Sequence, residues 1–139
     1  MRVAIIDTSV VVAGLLTRHL DVPTAQILDG MLSGAFPFVV STPLLAEYRD
    51  VLNRPKLRKL HGLDADAVDA LLTVLAENAI VLEPGAASPE PDPGDQLLWD
   101  LLACHENLCL VTGDALLLRT NDAPAPVLLP ANFVATLLR

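Results

Sequence analysis

The chain has 139 residues and a formal net charge of −8, and 53% of its residues are apolar although only 4% are aromatic. That length fits a single domain over 1–139, closed around one core of Leu, Val and Ala without staples, and the acidic balance excludes a broad nucleic-acid-coating surface. Mean hydropathy is +0.49, yet no apolar run approaches the roughly 18 residues of a spanning helix. The start lacks the basic lead-in and cleavage site of a signal peptide, so a soluble, cytoplasmic protein with no membrane association is expected.

The first element is Val3-Ala4-Ile5-Ile6, a run that reads as a buried parallel strand delivering Asp7 to the sheet edge, followed by Thr8 and Ser9. Two readings of Asp7 stand at this point. It either lies beyond a strand's carboxyl end, where open α/β sheets bind ligands, or it caps the next helix. Val10 to Leu16 is apolar, short and without helical periodicity, as expected of a helix buried on several sides. A turn at Arg18 to Asp21 leads to Pro23 and a helix through Ile27, Leu28 and Met31, stopped by Gly34. Phe36 to Val40 predicts the second strand, ending at Ser41.

Apolar residues at 44, 45, 48, 51 and 52 make the stripe of an amphipathic helix, with Glu47 bordering it soon after that strand's exit. Asn53-Arg54-Pro55 breaks the helix; Lys56 to Leu60 reads as a basic turn ended by His61-Gly62, with His61 a loop residue. Five of the nine basic residues, Arg49, Arg54, Lys56, Arg58 and Lys59, fall in this one segment. Asp64 caps a helix to Asn78 with Val68, Leu71, Leu72 and Leu75 inward, and Ala79 to Leu82 predicts a third strand. The proline-rich Glu83–Gly94 loop empties into Asp92-Pro93-Gly94-Asp95, which reads as a helix start capped by Asp92, with Asp100 mid-helix and simply exposed. Cys104 and Cys109 lack zinc-site company and read as core thiols.

Leu108 to Val111 then repeats the opening grammar: an apolar strand, a hydroxyl residue at Thr112, and an acid at Asp114. A short helix at Ala115 to Leu118, a turn at Thr120 to Ala123, a strand near Val127 to Leu129 and a helix from about Asn132 to Leu138 complete the chain. The alternation predicts an α/β sandwich with a mainly parallel sheet. Asp7, Glu47, Asp95 and Asp114 all fall at strand exits or in the helix just after one, so they can converge on one edge. Carboxylates sharing a site must protonate, recruit lysines or bind a hard cation. No basic residue lies close in sequence to Asp7, Asp95 or Asp114, which points to Mg²⁺ or Mn²⁺. Phosphodiester hydrolysis fits such a metal site, with Arg49, Arg54 and Lys56 placed to contact flanking phosphates.

The matching stretches are Ile5-Ile6-Asp7-Thr8-Ser9, Ser41 to Tyr48 with the trailing Val51 to Leu57, Asp92-Pro93-Gly94-Asp95, Val111-Thr112-Gly113-Asp114 and Pro130-Ala131-Asn132-Phe133. On them the chain resembles the PIN-domain ribonucleases, and among these the toxins of type II toxin-antitoxin pairs. The resemblance implies a Rossmann-like three-layer sandwich with about five parallel strands. It also implies a Mg²⁺- or Mn²⁺-dependent endoribonuclease acting on single-stranded RNA, a homodimer, and a small antitoxin partner. Carried over by position, the four acids and metal ligands fall on Asp7, Glu47, Asp95 and Asp114, and the assisting hydroxyls on Thr112 and Ser9. Position 9 is more often asparagine in that family, and Asp92 is a rival third acid. Asp95 ranks first, as the inner residue of the helix start, with Asp92 as cap or supporting group.

Other readings have specific weaknesses. An aspartate-based phosphatase wants an acid two residues after the first, where this chain has Ser9, and a lysine near the later acids. A dinucleotide-binding protein wants a Gly-x-Gly-x-x-Gly after the first strand. A non-catalytic PIN-like module that binds protein or RNA is compatible with the net charge and the apolar content, which also suggests that a partner, such as a second copy, covers part of the surface.

Overall fold

The computed structural model of the chain describes residues 2–83, 96–114, 118 and 125–137. Its strands are β1 (Val3–Ile6), β2 (Phe38–Val40), β3 (Ile80–Val81), β4 (Leu108–Val111) and β5 (Val127–Leu128). The helices among the described residues are α1 (Thr8–Leu16), α2 (Pro23–Ser33), α3 (Thr42–Leu52), α4 (Pro55–His61), α5 (Ala65–Asn78), α6 (Gln96–Leu102) and α7 (Pro130–Leu137). All strand pairs are parallel, in the order β3-β2-β1-β4-β5. The result is the expected three-layer α/β sandwich.

Burial explains why the strand sequences are continuously apolar. β2 and β4 are buried at every position and β1 at three of four, because a parallel sheet is covered on both faces by its crossover helices. β3, at one edge, leaves Ile80 and Val81 exposed. From β1 the chain steps through β2 to β3, then crosses back to place β4 on the other side of β1. The connections therefore diverge between β1 and β4, the topological switch point where α/β sheets of this order bind ligands.

Helix boundaries follow their local chemistry. Gly34 ends α2 in the left-handed conformation at φ 71°. The Ser41 side chain accepts from the Leu44 amide to cap α3, and Asp64 accepts from Ala67 to cap α5. Both are side-chain caps of the usual kind.

Several expectations need correction. The basic stretch 56–60 is helix, not turn: Pro55 opens α4 as its first residue, Gly62 closes it at φ 72°, and Arg58, Lys59 and His61 complement the carboxyl end of its dipole. His61 is accordingly no loop residue. Its Nε2 lies 2.8 Å from the Leu52 carbonyl and its Nδ1 accepts from the Leu63 amide, tying α3, α4 and the next turn together. Cys109 is a core thiol but Cys104 is exposed, since it follows the end of α6. Asp100 is half-buried and accepts a hydrogen bond from Gln96 Nε2 at 2.8 Å rather than standing free in solvent. β2 begins at Phe38, two residues later than expected, β3 is limited to Ile80–Val81, and α7 begins at Pro130 rather than near Asn132. The expected helix start at Asp92 and turn at Thr120 to Ala123 lie outside the described residues, as does most of the short helix before Leu118.

Candidate active site

β1 passes straight into α1, with Asp7 as the hinge residue between them. Asp7 has the extended backbone of an N-cap (φ −61°, ψ 147°), but its side chain makes no capping bond. This separates it from Ser41 and Asp64, which do cap. Its carboxylate is instead held from the side: Oδ2 accepts from Thr112 Oγ at 2.6 Å and from Ser9 Oγ at 3.2 Å. Thr112 reaches it because β1 and β4 are neighbours in register, Ile6 opposite Val111, and the next residue on each strand is Asp7 and Thr112. The Asp7 amide donates to the Val111 carbonyl at 3.0 Å, extending the ladder to the acid itself.

Thr112 is fully buried and serves two acids at once. While its hydroxyl donates to Asp7, its oxygen accepts from the Asp114 amide at 3.0 Å. Ser9 and Thr112 share the same carboxylate oxygen, and among the described residues no hydrogen bond reaches Oδ1 of Asp7.

Asp7, Ser9, Gly113 and Asp114 line a cleft of about 280 Å³ together with Val10, Ala13, Thr24 and Pro130. Among the described residues no basic side chain lines it. A larger groove of about 360 Å³ runs between α3 and α5, but its polar lining is Thr42, Thr73 and the Arg49–Asp69 ion pair. The smaller cleft is the candidate site because it gathers carboxylates at the switch point, and volume is no substitute for that chemistry.

Glu47 is linked to the Asp7 segment through Thr8. It does not line the cleft; its Oε2 accepts a hydrogen bond from the Thr8 hydroxyl, and Thr8 is the residue after Asp7. Beside it, Tyr48 is completely buried and donates to the Ile6 carbonyl. Burial raises the Tyr48 phenol well above its ordinary value near 10, and the negative charges of Asp7 and then Glu47 push it further in the same direction. Both acids therefore act on one buried ring. Thr8 and Tyr48 had no functional reading in the sequence: Thr8 is one of two hydroxyl residues after Asp7, and Tyr48 is hidden in an apolar stripe.

Tyr48 is the only tyrosine, so tyrosinate absorbance near 295 nm reads this group alone. In the folded, metal-free protein no ionisation step is expected around pH 10. The unfolded chain loses the proton first. The contribution to stability is thus full below about pH 10 and falls above it by about 1.4 kcal/mol per pH unit, so that absorbance should rise only together with loss of the circular dichroism signal. A native-state step near 10 would show a phenol in contact with water.

Of the remaining expected residues, Asp92 and Asp95 lie outside the described residues. Arg49 pairs with Asp69 at 2.9 Å and Arg54 with Asp50 at 3.2 Å, while Lys56 is exposed on α4. Among the described residues no group of three or more His, Cys, Asp or Glu side chains is gathered closely enough to hold a metal. The donor set nevertheless fits a hard divalent cation. Two carboxylates and hydroxyl oxygens line a cleft that has no basic side chain among the described residues, and Mg²⁺ is usually bound through one or two carboxylates with waters and substrate phosphates in its other positions.

A parallel α/β sheet with a carboxylate cleft at its switch point defines a class of proteins in which negative groups await a cation or a cationic ligand. The comparison with known families narrows this. Residues 3–116 match the PIN domain, and the chain belongs to the PIN domain family. PIN domains are generally metal-dependent nucleases, so the fold is that of a nuclease-type hydrolase. No curated protein matches the chain.

Proposed function

We propose that this protein is a Mg²⁺- or Mn²⁺-dependent endoribonuclease that hydrolyses single-stranded RNA. The observation that carries the reading is the Thr112 bridge, which holds Asp7 and orders the Asp114 backbone at the one point of the sheet where a ligand is expected. Asp7 and Asp114 would hold the cation, with Glu47 and Asp95, or Asp92, completing the acidic set. A bound divalent cation lowers the pKa of a water and offsets charge on a scissile phosphate.

The chain's own groups supply the rest. Thr112 and Ser9 hold the Asp7 carboxylate in place. Without a cation the two carboxylates repel a phosphodiester, so RNA should enter this cleft only when their charge is balanced. Val10, Ala13 and Pro130 supply apolar lining beside the acids. Flanking phosphates fall to the exposed face of α4, where Lys56, Arg58 and Lys59 project. Arg49 and Arg54 remain available too, because exposed ion pairs such as theirs are worth only about 0–1 kcal/mol and a phosphate can replace the carboxylate partner.

The same reading extends to the cell: a cytoplasmic toxin, held inactive by a small antitoxin and acting as a homodimer of one-domain chains. Its support is the resemblance in sequence, an apolar fraction of 53%, and large apolar side chains left in water, Leu20, Leu60, Ile80 and Val81 among them. No helix among the described residues is long and apolar enough to cross a membrane. Growth arrest on expression, and a dimer in sedimentation at micromolar concentration, are the checks; normal growth or a monomer removes the corresponding part.

Purified protein should cut single-stranded RNA with Mg²⁺ or Mn²⁺ and stop when EDTA removes the ion. Undiminished cleavage in EDTA would end the metal-dependent reading. Binding of RNA or a protein partner without cleavage would favour the non-catalytic module, and release of phosphate from a small phosphomonoester would favour the phosphatase.

A further inference from the structure

Two hydrogen bonds cross between α3 and the β1–α1 junction in opposite directions. Thr8, the residue after Asp7, gives its hydroxyl proton to Glu47. Tyr48, the residue after Glu47, gives its phenol proton to the carbonyl of Ile6, the residue before Asp7. The path Ile6-Asp7-Thr8 to Glu47-Tyr48 and back to Ile6 is therefore a closed ring containing both acids. Three of its members are shielded from water, Ile6 and Tyr48 fully and Thr8 at 7% exposure, while Asp7 and Glu47 are half-buried.

A hydroxyl at the first position of a helix ordinarily finds a local backbone partner. Thr8 instead reaches a carboxylate 39 residues away, and Tyr48 a carbonyl 42 residues away. Glu47 also sits on the first turns of α3, a different element from the strands that hold Asp7 and Thr112. Nothing else among the described hydrogen bonds fixes the Glu47 carboxylate.

We propose that Thr8 and Tyr48 are positioning residues that lock the separation between Asp7 and Glu47, Thr8 by orienting the Glu47 carboxylate and Tyr48 by anchoring the backbone that carries Asp7. This rests on the nuclease reading of the site for its functional consequence, but the geometric claim stands apart from it. If the ring merely satisfied buried polar atoms, its loss would lower stability and leave turnover per folded molecule unchanged.

The test uses Thr8→Val, which keeps the shape and removes the hydroxyl, Thr8→Ser, which restores the hydroxyl, and Tyr48→Phe. Crystal structures of wild type and variants report the Glu47 and Asp7 positions; steady-state RNA cleavage with Mn²⁺ reports kcat and KM separately. In Thr8→Val the Glu47 carboxylate should leave its place, with kcat lowered about 10- to 100-fold, the usual loss for a group supporting a metal ligand, and KM within about twofold. Thr8→Ser should recover kcat to within about threefold. Tyr48→Phe should shift the Ile6–Asp7 backbone and lower kcat in the same sense. The proposal is overturned if Glu47 keeps its place in Thr8→Val, if kcat stays within about twofold of wild type, or if Thr8→Ser is as impaired as Thr8→Val. Should wild type not cleave RNA, the nuclease reading fails while the structures still judge the ring. Should Thr8→Val not fold, Tyr48→Phe decides: an unmoved Asp7 segment with unchanged kcat rejects the lock.

Discussion

Asp7→Asn should yield a folded protein whose RNA cleavage falls by at least about 100-fold, beyond the 10- to 100-fold typical of groups that only support a metal ligand. The substitution is close to isosteric, and an asparagine carbonyl can still accept from Thr112 and Ser9, so the melting temperature should stay within a few degrees of wild type. What is lost is the charge. Asp7 lies at the meeting point of everything that defines the site: the switch between β1 and β4, the Thr112 bridge to the Asp114 amide, and the cleft that both acids line. Parallel measurement of cleavage and of Mn²⁺ binding checks the result. Cleavage that continues undiminished in Asp7→Asn would mean that the activity belongs to another site or to a contaminant.

The second large effect is on stability. Gly14, at the end of the second turn of α1, faces α2 so closely that a Cβ would come within 2.5 Å of the Thr24 carbonyl oxygen and 2.9 Å of Leu28 Cβ. Glycine is required here by the approach of two backbones, and the contacted carbonyl belongs to a helix that can only move as a unit. Gly14→Val should therefore cost about 2–3 kcal/mol, near the upper end for overpacked interiors, and lower the melting temperature by on the order of 5–10 °C. Gly14→Ala should lose less, because the gain in helix propensity of about 1 kcal/mol offsets part of the clash. Adding Leu28→Ala to Gly14→Val should recover only part of the loss, since the Thr24 carbonyl remains in the way. A Gly14→Val protein as stable as wild type, by thermal unfolding, would contradict this packing. Thr24 also lines the cleft, so displacing α2 reaches the site wall as well.

Much of the fold was legible because its signals are local. Strand runs such as Val3 to Ile6 and Leu108 to Val111 are apolar on both faces, and Gly34, Ser41 and Asp64 mark helix ends by conformation or by side-chain capping. The error at α4 came from reading Pro55 only as a breaker of the preceding helix, when proline is equally a first residue of the next. Cys104 was misplaced because the end of α6 turns its backbone out to solvent, a matter of where the helix stops relative to the sheet.

For the site, the sequence by itself determined that Asp7 and Asp114 would each follow a buried strand, that a hydroxyl would stand just before Asp114 at Thr112, and that a parallel α/β sheet would carry them. Those facts reside in apolar runs and in residue order. It left Asp7 suspended between cap and ligand, because both roles begin from the same position in the chain. Only the tertiary structure set the side-chain cap aside: the strand order places β4 beside β1, and Thr112, 105 residues away, takes the Asp7 side chain off the helix end. The same holds for the Thr8–Glu47 and Tyr48–Ile6 bonds. Hydrogen bonds between segments so distant in sequence depend on which strands are neighbours and where α3 packs against the sheet, and neither is encoded in any local pattern.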